Sequence, residues 1–386
     1  MQAEPQRLSA AVGAMGTPRE RPSIWSRLDA ASPSVLLMPT VVIVLALSIF
    51  PLIVSLYLSL SRFQFVRGGF QITFIGFRNY EKLLFGSEQR HFLGRIAAIE
   101  PIWWLPLALL GGYMAYLLFR YVTSPRRRIF GLVMRLLTLV ITGGAALLIA
   151  ATLSGTGLPG TLVVTLIFVF GSVALQYGIG LGLALLLTQN IAGKRFFRII
   201  FLLPMMITPV GIGFLFRMLT NTTQGPLGPI WIAFGQADFS WVESASSARL
   251  AVIIGDVWQW TPFMFIILLA ALEGVSRETI EAGLVDGANR FQLFRFIVLP
   301  EIVPVSTTVI LIRLIETFKI VDMPNILTGG GPGTATESLT LHAYNSWRAL
   351  DLGQSSAIAY LLLFTVTFVA MVFVNFVRKR IIQAFS

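Results

Sequence analysis

The sequence predicts an all-α polytopic membrane protein of about eight transmembrane helices, and three observations carry that prediction. Of 386 residues, 55% are hydrophobic and 12% charged, against about 25% charged in an ordinary soluble domain. Charge-free apolar runs recur along the chain at the roughly 20 residues a membrane helix needs. Lysine and arginine gather in short clusters between those runs, which is how basic residues set membrane topology.

The same composition excludes several classes of function. There are no cysteines, so disulfides, Cys-based zinc sites and thiol catalysis are out. The formal charge of +11 would suit nucleic acid, but the dispersal of its cations between spans does not make a binding face, and no nucleic-acid partner is expected. His91 and His342 read as isolated residues of two outer loops, so neither a metal site nor a catalytic set is expected. The only Gly-Lys pair, Gly193-Lys194, lacks a glycine five residues before it and is followed by Arg195 where a phosphate loop needs Ser or Thr. No nucleotide site is expected in this chain.

Residues 1–33 are polar, with Arg7, Arg19, Arg21 and Arg27, and lack the apolar core and small-residue cleavage site of a signal peptide. They read as a cytoplasmic tail. The first span lies in the charge-free run Ala30 to Ser61 and leads, within a segment 34–84, to an outer loop. A second span falls between Glu100 and Arg120. The run from Leu136 to Gly193 is too long for one helix, and Ser154-Gly-Thr-Gly-Leu-Pro-Gly160 is a turn signal that divides it. Further spans are expected at Ile199 to Leu219, Leu250 to Leu272, Val305 to Val321 and Gln354 to Val377. With both termini in the cytoplasm, Arg126-Arg127-Arg128, Lys194-Arg195 and Arg378-Lys379-Arg380 all fall inside. One loop dissents: 62–100 carries Arg62, Arg67, Arg78, Lys82, Arg90 and Arg95 on the outside.

The segment 275–304 is too polar to cross the bilayer core. Ser276 can cap a helix whose first turns hold Glu278 and Glu281 against the helix dipole. Ile280, Leu284 and Ala288 form a stripe at i, i+4, i+8. Gly283 and Gly287 share a face open to close approach, and Gly287 can end the helix in the left-handed conformation. A second short helix, Asn289 to Leu299, presents Phe291, Phe294 and Val298, before Pro300 and Pro304 break and restart the chain.

The spacing of Glu281, Ala282, Asp286, Gly287, Ala288, Leu299, Pro300 and Pro304 resembles the "EAA" loop of binding-protein-dependent ABC importers, where the membrane subunit docks on its ATPase. Gly283 departs from the alanine usual there, and Ser276 stands where a proline is common. A second block, Arg313-Leu-Ile-Glu-Thr-Phe-Lys-Ile-Val-Asp322 leading to Leu327-Thr-Gly-Gly-Gly-Pro-Gly-Thr334, is similar to the maltose-type carbohydrate permeases. Asp256-Val-Trp-Gln-Trp-Thr-Pro-Phe263, Phe74-Ile-Gly-Phe-Arg-Asn-Tyr80 and Leu352-Gly353 with Ala357 match the same family. The resemblance covers about 34–84 and 160–386.

What the resemblance implies is a type I importer core of six helices with an added hairpin. The core would fall at 160–386, carrying its docking loop at 275–304, and the hairpin at 85–159, whose role is open. It implies a permease subunit in a bacterial inner membrane, itself not an enzyme, passing a sugar delivered by an external solute-binding protein. The partners implied are a second permease subunit and a dimeric ATPase that holds ATP and magnesium. Other solutes, such as glycerol phosphate, phosphate or polyamines, stay open within the superfamily. A secondary transporter would show duplicated broken helices, and no duplication is visible.

A substrate path or gate is expected among Arg313, Glu316, Lys319, Asn325, Trp258, Gln259, Trp260, Gly329, Gly330 and Gly331. Charges inside a membrane are costly and commonly functional; Arg313, Glu316 and Lys319 recur at i, i+3, i+6, either as a self-neutralising ladder or as a polar path or subunit interface. Trp258 and Trp260 suit an interfacial belt or a sugar-stacking surface. The glycines make a bare turn or, by resemblance, a loop facing the gate and the binding protein.

Overall fold

The structure, a computed structural model, describes residues 37–123, 129–189, 191–219, 221, 225–235, 240 and 242–384. The expectations for the tail at 1–33 and for Arg126-Arg127-Arg128 fall outside the described residues. Among the described residues seven helices are long and apolar enough to cross a membrane, and a bent pair makes up to eight. The chain divides into two units, Met1–Tyr57 and Leu58–Ser386. The first holds most of helix α1 (Leu37–Ser59), whose backbone opens into one wide π-type turn at Leu45–Ile49, just before Pro51.

In the second unit the loop that the sequence places outside is not loose. Strands β1 (Ser61–Val66) and β2 (Gly69–Phe74) pair antiparallel with Phe65 opposite Phe70 and Phe63 opposite Ile72. Arg67 and Gly68 make the two-residue turn, and Gly68 takes φ +94° there, as tight hairpins require. Helix α2 (Arg78–Leu84) follows, and its Asn79 donates to the carbonyls of Ser59 and Ser61 at 2.8 and 3.0 Å. A single turn, α3 (Gln89–Phe92), ends this region. Lys82, one of the dissenting outer cations, is engaged by Gln354 Oε1 at 2.6 Å.

Helices α4 (Pro101–Val122) and α5 (Ile129–Leu153) are the expected hairpin, and the base of that hairpin is zipped shut. Strand β3 (Gly94–Arg95) pairs with β4 (Leu158–Pro159), Gly94 opposite Pro159. The amide of Gly155 donates to Glu100 Oε1 at 2.8 Å, and that of Glu100 to Ser154 Oγ at 3.2 Å.

Beyond it come α6 (Thr161–Thr188), α7 (Lys194–Met206), α8 (Pro209–Leu219), the short α9 (Gly228–Ala233) and α10 (Ala245–Glu273). After α11 (Arg277–Val285) comes α12 (Arg290–Thr317), then α13 (Leu339–Arg348) and α14 (Leu352–Ala384). The largest pairing is α6 on α10, where Val169, Val173, Met264, Phe265 and Leu268 are buried. Gly180 lets the two backbones approach: a Cβ there would stand 2.8 Å from Met264 Cβ.

Contacts fix which ends of these helices lie together. The starts of α6 and α10 both meet the 335–342 stretch, through Thr165 Oγ1 to the Leu339 amide (2.8 Å) and Arg249 Nε to the Ala335 carbonyl (2.7 Å). At the other end, Lys194 Nζ just past α6 meets Glu273 Oε1 at the end of α10, at 3.1 Å. The chain must therefore change ends between Thr188 and Ala245, and α7 with α8 provides the crossing.

That crossing corrects the expectation of a single helix over Ile199 to Leu219. The two helices meet at 97°, because Pro209 cannot donate to a helical ladder and disfavours helical backbone at Thr208. A second correction concerns Pro300 and Pro304, which do not break the chain. The helix runs through both, from Arg290 to Thr317. One π-type turn, Phe294–Val298, closed by the Leu299 amide on the Phe294 carbonyl, precedes Pro300 and absorbs the lost donor.

Candidate functional site

Helix α11 stands at the 188–198 end of the molecule. Ser276 occupies its N-cap position with extended backbone, but its side chain makes no capping bond, so the expected cap is backbone only. The other end is well defined. Gly287 takes φ +81°, its amide bonds the Leu284 carbonyl, and the Ala288 amide bonds the Gly283 carbonyl, each at 3.0 Å. Those two bonds make a Schellman stop. The following turn is fixed by a capping box, Asn289 Oδ1 taking the Gln292 amide at 2.9 Å and Gln292 Oε1 the Asn289 amide at 2.8 Å.

Gly283 is buried, and a Cβ there would stand 2.6 Å from Ile297 Cδ1 and 2.7 Å from Leu293 Cδ2. A methyl there would press on the ends of two flexible side chains of α12, and the shared open face with Gly287 does not form. Ile280 of α11, with Val275 before it and Val298 and Leu299 of α12, joins the main core, which ties α11 to the spans. Ile280 and Leu284 also part company, since Leu284 is exposed. The outward surface carries Glu281, Ala282, Asp286 and Arg290 with four apolar side chains in the open: Leu284, Val285 at 88% exposure, Phe291 and Phe296. Large apolar groups on a polar, rigidly held turn are the signature of an interaction surface.

Between α6, α10 and α12 lies a buried polar knot. Arg313 Nε donates to Gln176 Oε1 at 3.0 Å, and its NH2 lies 3.5 Å from Asp256 Oδ2. Gln176 Nε2 donates to Asp256 Oδ2 at 2.8 Å. All three are buried, so each charge keeps a partner, the condition for tolerating ions in a low-dielectric interior. The guanidinium also stands 4.6 Å over the Trp260 ring. Successive residues of α10 then serve three neighbours. Trp258 meets Phe216 edge-on at 5.7 Å. Gln259 Nε2 donates to the Ile207 carbonyl at 3.3 Å, satisfying a backbone acceptor left free by the bend. Asp256 and Gln176 were missed as site residues by sequence reasoning; a lone acid in an apolar span was the available signal.

The charge series divides. Arg313 turns inward, whereas Glu316 and Lys319 are exposed and pair with each other at 2.9 Å. Asn325 sits in a π-helical turn, Pro324–Thr328, whose end is Gly329 in the left-handed region. Gly330 also has positive φ, +84°. Thr336 Oγ1 donates to the Gly331 carbonyl at 2.9 Å and lies 2.7 Å from Thr328 Oγ1, which makes the glycine loop a closed turn.

The two histidines are not isolated. His91 of α3 and His342 of α13 stack at 4.0 Å between ring centroids. His91 Nε2 stands 2.7 Å from Glu337 Oε2, and Asn345 Nδ2 donates to Glu337 Oε1 at 2.8 Å. The bond to Glu337, against some desolvation, raises the His91 pKa above its ordinary value. Burial pushes Glu337 upward, but the His91 and Asn345 bonds outweigh it and hold the carboxyl below its usual range. Burial, with the charge of His91 beside it, lowers His342 to about 4.

Residues 176–383 match the family described as the binding-protein-dependent transport system inner membrane component. Over 217 residues the chain is 35% identical to the trehalose/maltose transport system permease protein MalF of Thermococcus litoralis, a match covering 56% of this chain and 74% of that protein. It is 30% identical over 221 residues to the sulfoquinovosyl glycerol transport system permease protein SmoG of Agrobacterium fabrum, covering 57% and 70%. Among solved structures, a chain of a bacterial alginate ABC transporter, in complex with an alginate pentasaccharide-bound periplasmic protein, shares the fold. There the TM-score is 0.61 at 15% identity, over 93% of this chain and 98% of that one.

Proposed function

The chain belongs to the binding-protein-dependent transport inner membrane components, and from that premise we propose that it is the permease subunit of an ATP-driven carbohydrate importer. The observation that carries the energy-coupling part is helix α11 with the turn after it: stopped by Gly287, packed on the spans, and presenting Val285, beside Phe291 at the start of α12, to the outside. A surface so built suits a dimeric ATPase, which supplies the ATP and magnesium chemistry. The sugar reading rests on the relatives, whose names carry trehalose, maltose and sulfoquinovosyl glycerol.

In this reading the end holding Lys194, Arg195 and α11 faces the cytoplasm, where basic residues collect. The end holding the glycine loop and the β1–β2 hairpin faces outward, towards a solute-binding protein. A second permease subunit completes the pathway. Closure of the ATPase dimer on ATP would displace α11. Its packing through Ile280 on the main core and through Gly283 on Leu293 and Ile297 of α12 would pass that displacement to the packed α6–α10 pair and to α12. The bend at Ile207, held by Gln259, gives α7 and α8 a place to pivot.

Reconstitution in vesicles with a second permease subunit, the ATPase and the binding protein tests the proposal. Uptake of labelled maltose or trehalose should require ATP inside the vesicle. Uptake of glycerol phosphate but no sugar would overturn the substrate class, and uptake driven by an ion gradient without ATP would overturn the mechanism.

A further inference from the structure

The chain has two histidines, far apart in sequence, and both arrive at one place on the end of the molecule opposite α11. One ligand atom each from Glu88, His91 and His342 lie within 4.8 Å of one another. Glu88 and His91 are a Glu-x-x-His pair on one helical turn, so both side chains leave the same face. His91 Nδ1 and Glu88 Oε2 are 3.5 Å apart, about the separation of two ligands that each sit roughly 2.0–2.1 Å from a tetrahedral ion. His342 approaches from α13 and is buried, whereas the Glu88 and His91 side chains are each 29% exposed. The cluster therefore has a fixed floor and an open mouth.

We infer that Glu88, His91 and His342 form a binding site for a divalent transition-metal ion of the zinc class, with water in the remaining position. Imidazole nitrogens with one carboxylate are the donor set such ions favour over magnesium or calcium. The surroundings already supply outer-shell support. Glu337 Oε2 stands 2.7 Å from His91 Nε2, the carboxylate–histidine arrangement that fixes a ligand's tautomer and leaves Nδ1 for the metal. Asn345 holds the other Glu337 oxygen. His342 Nδ1 lies 3.2 Å from Thr161 Oγ1, which orients that ring and leaves its Nε2 for the ion. Glu88 and Glu337 together balance a doubly charged cation. Closing the 4.8 Å spread to bonding distance takes two side-chain movements: part-exposed Glu88 swings in about its three torsions, and part-exposed His91 tilts out of its 4.0 Å stack on His342 so that both ring nitrogens aim at the ion. A bound ion would clip the turn before the inserted hairpin to α13, and through Thr161 to the start of α6.

The test is titration of the purified full-length chain with Zn2+, followed by calorimetry, and with Co2+, followed by visible absorption. The expected result is one ion per chain and a tetrahedral Co2+ spectrum. His91→Gln or His342→Gln should abolish stoichiometric binding, and Glu337→Gln should weaken it about tenfold or more, as loss of an outer-shell carboxylate does. If His342→Gln fails to fold, Glu88→Gln and His91→Gln, both at part-exposed positions, carry the same test. Absence of one-to-one binding, an octahedral Co2+ spectrum, or binding unchanged in the His91→Gln variant would overturn the site and leave only adventitious surface binding.

Discussion

Replacing Arg313 by methionine removes the cation of the buried knot while keeping most of its stem. Arg313 loses its 3.0 Å bond to Gln176, its 3.5 Å approach to Asp256 and its stacking on Trp260. Asp256, 5% exposed, then keeps the neutral Gln176 amide but has lost its cation. Stranding one member of a buried ion pair costs about 3–5 kcal/mol, so the single variant should lose its monodisperse, folded form at a markedly lower temperature. Asp256→Leu alone should do the same, because Arg313 is then the stranded charge. The two together should recover most of the loss, since an apolar pair of similar volume is often neutral or better. The assay is the fraction of detergent-purified protein that elutes as a single peak after stepped heating. Single variants as stable as the wild type, or a double variant showing the sum of both losses, would refute the assignment of the knot as a self-sufficient charge pair.

Gly287→Val forces a β-branched residue into φ +81°, costing roughly 1–2 kcal/mol locally. ATP hydrolysis should uncouple from uptake while membrane insertion is unchanged, and normal uptake would count against the role of α11. Excising 96–157 and joining Arg95 to Leu158 through Asn-Gly uses the existing β3–β4 pair as a two-residue hairpin. The remaining core should still insert and purify, and aggregation would show that 96–157 is integral to it. Glu316→Ala breaks an exposed i,i+3 pair worth no more than about 1 kcal/mol. Thermal stability of the lone chain should hold, while recovery of the second permease subunit on copurification should fall; unchanged recovery would leave the pair an idle ladder.

Much of the fold was legible because a bilayer makes hydrophobic length nearly sufficient. The helices over 101–122, 161–188 and 352–384 contain the charge-free runs expected there, and the last continues past its expected end at Val377 to Ala384. The stop at Gly287 followed from glycine's tolerance of positive φ. Pro300 and Pro304 were read too literally, and Pro209, which bends its span, was not read at all. Pro300 is accommodated because a π-type turn shifts the ladder's register ahead of it, a choice set by packing. The β1–β2 hairpin was visible as alternating Phe63, Phe65, Phe70 and Ile72 around Arg67-Gly68, and lay hidden inside a segment treated as one loop. The long-range partners were not legible. Gln176 and Asp256 are 80 residues apart, and no local pattern says that Arg313 turns inward while Glu316 and Lys319 stay outside. The histidine pair escaped for the same reason.

The docking of α11 can be tested most directly by cross-linking, because the natural chain has no cysteine. Val285→Cys, at a side chain 88% exposed, gives a single reactive thiol beside the Schellman stop. With the copurified ATPase and a short bifunctional reagent, a cross-linked permease–ATPase band should form and should change in yield when ATP is added. A cysteine placed at Phe65, on the opposite end, should give none. No ATPase adduct from Val285→Cys, with efficient labelling of the same thiol by a small maleimide, would contradict the account.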